Sequence, residues 1–503
     1  MMLWMICHIR IGSGFMGYPS LLFSGNASGH TVSASVFEDV KLNLFFSKEA
    51  IDAMRVLCPS GDIPVRQALV RYLLENQACR DSFARLAEIT AHIHHLREAL
   101  ADVKCENERH YIFVCLMASV ADFYNKAASG EDTGGLLLQR FTQWFRNACS
   151  EPEWRDMAQE SLELREKALK AQKMSFRTAG ENLWLRLEYE ESYVERLQKC
   201  AEDLGLPPTS PSSDTVIRLD ARMVNALARL HPEDFLAFKA FYGKYSQDFD
   251  ESILSYRYEL NFYLEAIKLL DRIRAAGLPL CWPAISQIKQ LSINGLRDVS
   301  LLHKEIEIVP NDAEFTEEEP FFFLTGANGG GKTTFLRSLA IAVLLFLSGC
   351  PICADRAALW PPENVFTHFP QDERFEADGR FADEQRRVKE ILEHHNGSSL
   401  ILLNETYSTT NEELAVTCTL DLAEKLKNSG SFVLYITHQH GLEAAEVPFL
   451  SVIVDEGDDN RRTFRIARRK EATGSYAADI LRRYGLDRQG LAHRFAHGEG
   501  AAV

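Results

Sequence analysis

Phe321-Phe322-Phe323-Leu324-Thr325 runs directly into Gly326-Ala327-Asn328-Gly329-Gly330-Gly331-Lys332-Thr333-Thr334, and an apolar stretch follows from Phe335. The apolar run is a strand candidate, the glycines and Lys332-Thr333 hold the GxxxxGK[ST] spacing, and the stretch from Phe335 reads as a helix. Strand, glycine loop and helix in that order are the full context of a P-loop. Glycines let backbone N–H groups close around a phosphate, and the helix N-terminus adds its dipole. Lys332 brings positive charge to the β- and γ-phosphates, and the Thr333 hydroxyl is placed to ligate magnesium. The motif predicts Gly326, Ala327, Asn328, Gly329, Gly330, Gly331, Lys332, Thr333 and Thr334 as a phosphate site, with ATP and Mg2+ as its ligands.

Two further apolar runs, Leu400-Ile401-Leu402-Leu403 and Phe432-Val433-Leu434-Tyr435-Ile436, are separated by helical segments. Continuous apolar runs of this kind indicate strands buried on both faces of a parallel sheet. Residues 281–503 are therefore expected to form an α/β domain. The first of these runs ends in Asn404-Glu405, where such a site normally has Asp-Glu. Glu405 is placed to polarise an attacking water. Asn404 keeps one acceptor oxygen but cannot offer the negative charge an aspartate gives magnesium, and it is assigned with Thr333 to the metal. Thr437-His438 closes the other run, where a γ-phosphate sensor would stand. Glu405, His438 and Lys332 are the expected catalytic groups.

The preceding residues, 46–280, read as helical almost throughout. Ile253, Tyr256, Leu260, Tyr263, Ile267, Leu270 and Ile273 recur every three or four positions along one helix face, which Gly277 and Pro279 end. A second helical stretch starts near Trp154, is interrupted around Gly180 and stops before Gly205-Leu206-Pro207-Pro208. No β-rich insertion is expected between these long helices. A helical bundle is the simpler reading, and a pair of arms that carry movement is the sharper one. Residues 1–45, rich in Gly and Ser, are unassigned. The fold class expected is α + α/β, a helical core and lever domain followed by a P-loop domain.

The chain of 503 residues is 46% hydrophobic and 25% charged, the balance of an ordinary globular protein. Lys and Arg number 55 against 71 Asp and Glu, a net charge of −16. That excludes a surface built throughout for polyanions, and any nucleic-acid contact needs a local basic patch. Residues 151–280 are a poor counter-ion, with 18 Lys/Arg against 23 Asp/Glu. Residues 461–503 reverse the balance, ten against four, led by Arg461, Arg462, Arg465, Arg468, Arg469 and Lys470 around Phe464 and Ile466 in a hairpin strand. An edge strand guarded by charge is the favoured reading of that segment, and a phosphate-contacting patch is the alternative. The 11 cysteines are odd in number and irregularly spaced, which suits reduced thiols. Cys350-Pro351-Ile352-Cys353 lacks the second pair that a structural zinc site needs and reads as core or loop. Met1–Ile11 lacks a basic flank ahead of its apolar run and a clean cleavage site, and Leu339–Leu347 is far shorter than the roughly 20 residues that span a bilayer. A soluble, cytoplasmic protein with no membrane association is expected.

Taken in order, these segments resemble the ATPase domain of MutS-type DNA mismatch-repair proteins. Pro310-Asn311-Asp312 precedes the TGANGGGKTT loop, and Val365-Phe366-Thr367-His368 follows it. Gly379-Arg380-Phe381-Ala382-Asp383-Glu384, the Asn404-Glu405 strand end with Thr406–Thr410, Thr437-His438 and Gly474-Ser475-Tyr476 complete the series. The likeness covers about 200 residues and extends loosely to Leu280-Cys281-Trp282-Pro283 and Ile293-Asn294-Gly295-Leu296. It implies a homodimer that sandwiches each nucleotide between two ATPase domains, with the helical part as core and lever and with mismatched or branched DNA as target. The departures are equally specific. Gly379-Arg380 stands where the family carries a Ser-Thr whose serine reaches the partner's nucleotide, and Thr406-Tyr407-Ser408-Thr409-Thr410 replaces a glycine-rich stretch. Together with Asn404 they bear on the rate of hydrolysis more than on ATP binding. The helices begin too early to leave room for mismatch-reading and connector domains, so a short member is expected. The competing expectation is a nucleotide-gated interaction protein with weak ATPase and no direct DNA binding.

Overall fold

The computed structural model describes residues 17–25, 30–171, 174–179, 182–187, 199, 203, 221–304, 306–370, 380–408, 410–454 and 462–469. They divide into two compact units: the described parts of residues 17–25, 46–53 and 61–268, and those of residues 30–45, 54–60 and 269–469.

The first unit is helical around one central element, Glu106–Ala128, which is buried on nearly every side from His110 to Ala121. A helix apolar all round must be enclosed. Here Gln77–Ala101, Leu136–Ser150, Pro152–Ala171, Ala221–Leu230 and Pro232–Tyr245 pack against it. Phe123 stacks on Tyr256 at 5.3 Å between centroids, and Phe141 meets Phe145 at 4.9 Å. The periodic face read from the sequence, Ile253 to Ile273, is buried throughout, and Gly277 follows the helix in the left-handed region at φ +69°. One expectation fails. Strands β1 (Met174–Ala179) and β2 (Asn182–Leu187) form an antiparallel hairpin around the interruption at Gly180, where no β-rich insertion is expected from the sequence. Its alternation Phe176/Thr178 against Leu183/Leu185 is a period-two pattern, overlooked beside the strong helical period that precedes it.

Residues 17–25, from the unassigned start of the chain, are a strap tied down by buried polar groups. Tyr256 and Tyr263 donate their hydroxyls to Pro19 O at 2.7 Å and Leu21 O at 2.6 Å. The Glu259 carboxylate accepts from Leu21 N at 2.6 Å and Ser20 Oγ at 2.8 Å, and Arg66 donates to Leu22 O.

The second unit holds the α/β region. A small sheet, β3 (Ala284–Ile285), β4 (Leu291–Leu296), β5 (Asn311–Phe315) and β7 (Arg356–Leu359), has the order β3-β7-β4-β5. The main sheet contains β6 (Phe321–Thr325), β8 (Asn364–His368), β9 (Ser399–Asn404), β10 (Phe432–Ile436), β11 (Phe449–Val454) and β12 (Arg462–Arg469), ordered β12-β11-β6-β10-β9-β8. All its pairs are parallel except β11 with β12. Every residue of β6, β9 and β10 is buried, as their unbroken apolar runs require. Cys350 and Cys353 are buried. Among the described residues no helix is long and apolar enough to cross a membrane.

The division differs from limits drawn at residues 45 and 280, for a local reason. Val32 N donates to Arg55 O at 2.8 Å, and Asp39 accepts from Thr367 at 2.6 Å and faces Arg387 at 3.4 Å, so these early segments belong to the second unit.

Burial pushes the Glu259 carboxyl from an ordinary 4.5 up to about 7, against the hydrogen bonds from Leu21 and Ser20. A raised carboxyl pKa means the folded state holds the proton more tightly, so the stability this gives is present below pH 4.5 and lost as pH rises through about 7. Denaturant titrations across that window should show Glu259→Gln gaining on the wild type with rising pH, by about 1–3 kcal/mol. Parallel pH profiles would contradict this account of the strap.

Candidate functional site

The register of the main sheet brings three strand ends together. Ile436 of β10 lies opposite Leu324 of β6 on one side and Asn404 of β9 on the other. The residues that follow, Thr325, Glu405 and Thr437, therefore emerge at one edge, the carboxyl end where ligands of parallel sheets bind.

From Thr325 the chain turns through the glycine loop into the helix Lys332–Leu347, with Gly331 at its N-cap in the left-handed region at φ +96°. Side chains are excluded from this loop by its neighbours. A Cβ on Gly326 would come within 3.1 Å of Val452, and one on Gly330 within 2.9 Å of both Ala327 O and Val452 Cγ1. Lys332 is 5% exposed, and its ammonium donates to Gly326 O at 2.8 Å and Ala327 O at 3.1 Å. The cation thus stands inside the arch of backbone whose amides it would share with a phosphate. Thr333 Oγ1 donates to Asn404 Oδ1 across 3.4 Å, so the two side chains assigned to the metal face one another. Both present oxygen, the hard donor that Mg2+ takes when phosphates complete its shell, and the pair fits such an ion. Among the described residues no three His, Cys, Asp or Glu side chains gather as a metal cage.

Glu405 follows β9 with its φ at +52°, and Tyr407 has φ +63°. Left-handed backbone at residues other than glycine costs of order 1–3 kcal/mol each and persists only where surroundings hold it. The Glu405 N–H donates to Ile436 O at 2.9 Å, and its carboxylate Oε1 lies 3.0 Å from His438 Nε2. The hydrogen bond from His438 is the main reason this carboxyl is held below its ordinary value, with the charges of His438 and Lys332 acting in the same sense against partial burial. The group is ionised at neutral pH and able to receive a proton. The structure thus brings Lys332, Thr333, Asn404, Glu405 and His438 to one sheet edge.

Other residues singled out in the sequence fall elsewhere. Asp383 lies on the helix Arg380–His394. Gly379, Arg461, Lys470 and Gly474-Ser475-Tyr476 lie outside the described residues. The basic segment does form the edge strand β12, but Arg468 is engaged by Glu319, with one contact of 2.8 Å, and lies 5.1 Å from the Phe322 ring. Arg465 is exposed.

Two features were missed in the sequence. Phe464, with φ +56°, sits against the P-loop, its ring 3.4 Å from where a Gly331 Cβ would be. Asn311 holds it there, donating to Phe464 O at 3.1 Å and accepting from Ile466 N at 2.8 Å. The second is a buried polar chain behind Glu405. His368 Nδ1 lies 3.1 Å from Thr406 Oγ1, Tyr435 donates to Thr406 O at 2.8 Å, and Thr419 Oγ1 lies 3.1 Å from the Tyr435 hydroxyl. The available signal was a tyrosine, with its polar tip, inside an otherwise hydrocarbon strand.

Residues 322–481 match the model of MutS domain V. An endonuclease MutS2 of Thermus thermophilus is 30% identical over 188 residues, 36% of this chain and 24% of the relative. A DNA mismatch repair protein MutS of Halothermothrix orenii is 28% identical over 187 residues, 35% of this chain and 21% of the relative. An endonuclease MutS2 of Streptococcus thermophilus is 28% identical over 214 residues, 41% of this chain and 26% of the relative. The chain thus spans about a quarter of the length of the curated relatives it matches.

Lys332→Ala removes the cation from the loop but none of the sheet's packing. Equilibrium binding of labelled ATP should weaken at least about tenfold, the equivalent of one charged hydrogen bond, while the far-ultraviolet circular dichroism stays that of the wild type. Unchanged affinity would remove Lys332 from the phosphate site.

Proposed function

We propose, from the premise that this chain is a MutS-family member through its domain V, that it binds ATP with magnesium and hydrolyses it slowly. On this reading the nucleotide switches a dimer between conformations, and the switch acts on mismatched or branched DNA in repair or recombination. The observation that carries the reading is the convergence of Lys332, the Thr333–Asn404 pair and the Glu405–His438 pair on one sheet edge. Loop amides and Lys332 hold the phosphates, and Thr333 with Asn404 would hold Mg2+. When bound, that ion supplies neutralisation of phosphate charge. Glu405 takes the proton of the attacking water, and His438 orients the carboxylate and offers a donor toward developing negative charge.

Slow turnover follows from two features. A carboxylate whose pKa is depressed by His438 is a weaker base, because proton-transfer efficiency falls as the base moves below the working pH. Asn404 adds no charge behind the metal. ATP binding does not depend on either feature.

A second reading, a nucleotide-gated interaction protein without DNA contact, is favoured by one observation. Arg468 of the basic strand is already neutralised by Glu319. Fluorescence anisotropy with linear, mismatched and four-way-junction DNA at two salt concentrations distinguishes them. The first reading expects structure-selective binding that weakens with salt and ATP-dependent dimer formation by light scattering. No binding to any of the three, with a dimer still formed, selects the second.

Glu405→Gln should bind ATP normally and slow single-turnover hydrolysis roughly 10²–10⁴-fold. Asn404→Asp should lower the magnesium concentration for half-maximal hydrolysis and raise the rate. An unaffected rate in the first variant, or superimposable magnesium curves in the second, would reassign that residue.

A further inference from the structure

Glu405 emerges from β9 into a turn that its own residue types do not favour, since both it and Tyr407 occupy the left-handed region. Something must hold the turn. Thr406, between them, is 1% exposed, and polar atoms from two other elements converge on it. His368 Nδ1 at the end of β8 lies 3.1 Å from its hydroxyl, and Tyr435 Oη of β10 donates to its carbonyl at 2.8 Å. Thr419, on the helix Glu412–Lys427, lies 3.1 Å from that same tyrosine oxygen. With the tyrosine proton committed to Thr406 O, the Thr419 hydroxyl donates to Tyr435. The chain of bonds is therefore directional and ends on the peptide that carries Glu405's neighbour. Its surroundings are apolar: Tyr435 and Tyr407 belong to the core cluster with Phe323, Leu422 and Ala423. Polar groups in such a place are costly unless satisfied, and once satisfied they fix geometry tightly.

We propose that Thr406, clamped by His368 and Tyr435, is a positioning residue that aims the Glu405 carboxylate at His438 and at the water it activates. The proposal rests on reading Glu405 as the general base. It explains how this chain dispenses with glycine after the strand: side-chain and carbonyl anchoring of Thr406 holds a backbone that glycine would adopt without help. Thr406 acts through Glu405 and touches no phosphate itself, so its loss should lower the rate of the chemical step and leave ATP affinity alone.

The test uses the full chain and the variants Thr406→Val, Thr406→Ser and Tyr435→Phe, alone and combined with Glu405→Gln. Single-turnover hydrolysis should fall roughly 10- to 100-fold in Thr406→Val and Tyr435→Phe, the scale of a misplaced catalytic group, with equilibrium ATP binding unchanged. Thr406→Ser, which keeps the hydroxyl and carbonyl, should restore most of the rate. In the Glu405→Gln background the same substitutions should add no further loss. If Thr406→Val fails to fold, Tyr435→Phe, which preserves the ring, decides alone. Equal losses with and without Glu405, a fall in affinity that matches the fall in rate, or unchanged rates would each overturn the proposal. If the wild type does not hydrolyse ATP, or Glu405→Gln leaves the rate intact, the reading of Glu405 fails first and the positioning role fails with it.

Discussion

The site depends on the parallel register of β6, β10 and β9. Because Ile436 pairs with Leu324 on one side and Asn404 on the other, the P-loop, the Asn404-Glu405 corner and Thr437-His438 leave the sheet at one level. A slip of one residue in either pairing would turn the apolar side chains of a strand to the opposite face and carry Glu405 away from His438. The fully buried hydrocarbon of Phe321–Leu324, Leu400–Leu403 and Phe432–Ile436 enforces the register, so packing energy spent on the core also sets the geometry of polar groups at its rim.

That coupling explains what could be read from the sequence. The three strands, the loop and the helix after it are local patterns, and the grouping of Lys332, Thr333, Asn404, Glu405 and His438 follows from strands adjoining in a parallel sheet. The buried face of the helix Tyr256–Ala275 was legible for the same reason, since periodicity is a local signal. Features that depend on partners distant in sequence were not legible. Asn311 reaches Phe464 and Ile466, and Asp39 meets Thr367 and Arg387, by tertiary contacts that no spacing announces. The hairpin β1–β2 was hidden differently, its short alternation lying directly after a long helical period.

The chemistry at the rim is a compromise between holding a charge and using it. His438 keeps the Glu405 carboxylate ionised and aimed, but the same hydrogen bond lowers its basicity. Asn404 makes the opposite concession. Its neutral amide can lie buried beside Thr333 without the desolvation cost of a carboxylate, and so provides an oxygen there without a charge. On the proposed reading, both choices favour a site that keeps its geometry over one that turns over quickly.

On the proposed reading the glycines of the P-loop are required twice: for phosphate approach, and because Val452 packs where side chains on Gly326 and Gly330 would be. The second requirement is met by the sheet alone and would produce a glycine-rich turn in a protein that bound nothing. What separates a phosphate site from a tight corner is the charge placed within the loop. Lys332 is buried with its ammonium on Gly326 O and Ala327 O, although a lysine at a helix start could extend into solvent at no desolvation cost. A buried cation capping two carbonyls at a helix N-terminus opposes the helix dipole, and a fold with only structural ends would have no reason to keep it there. An anion seated among the loop amides reverses that balance, since it meets both the dipole and the cation.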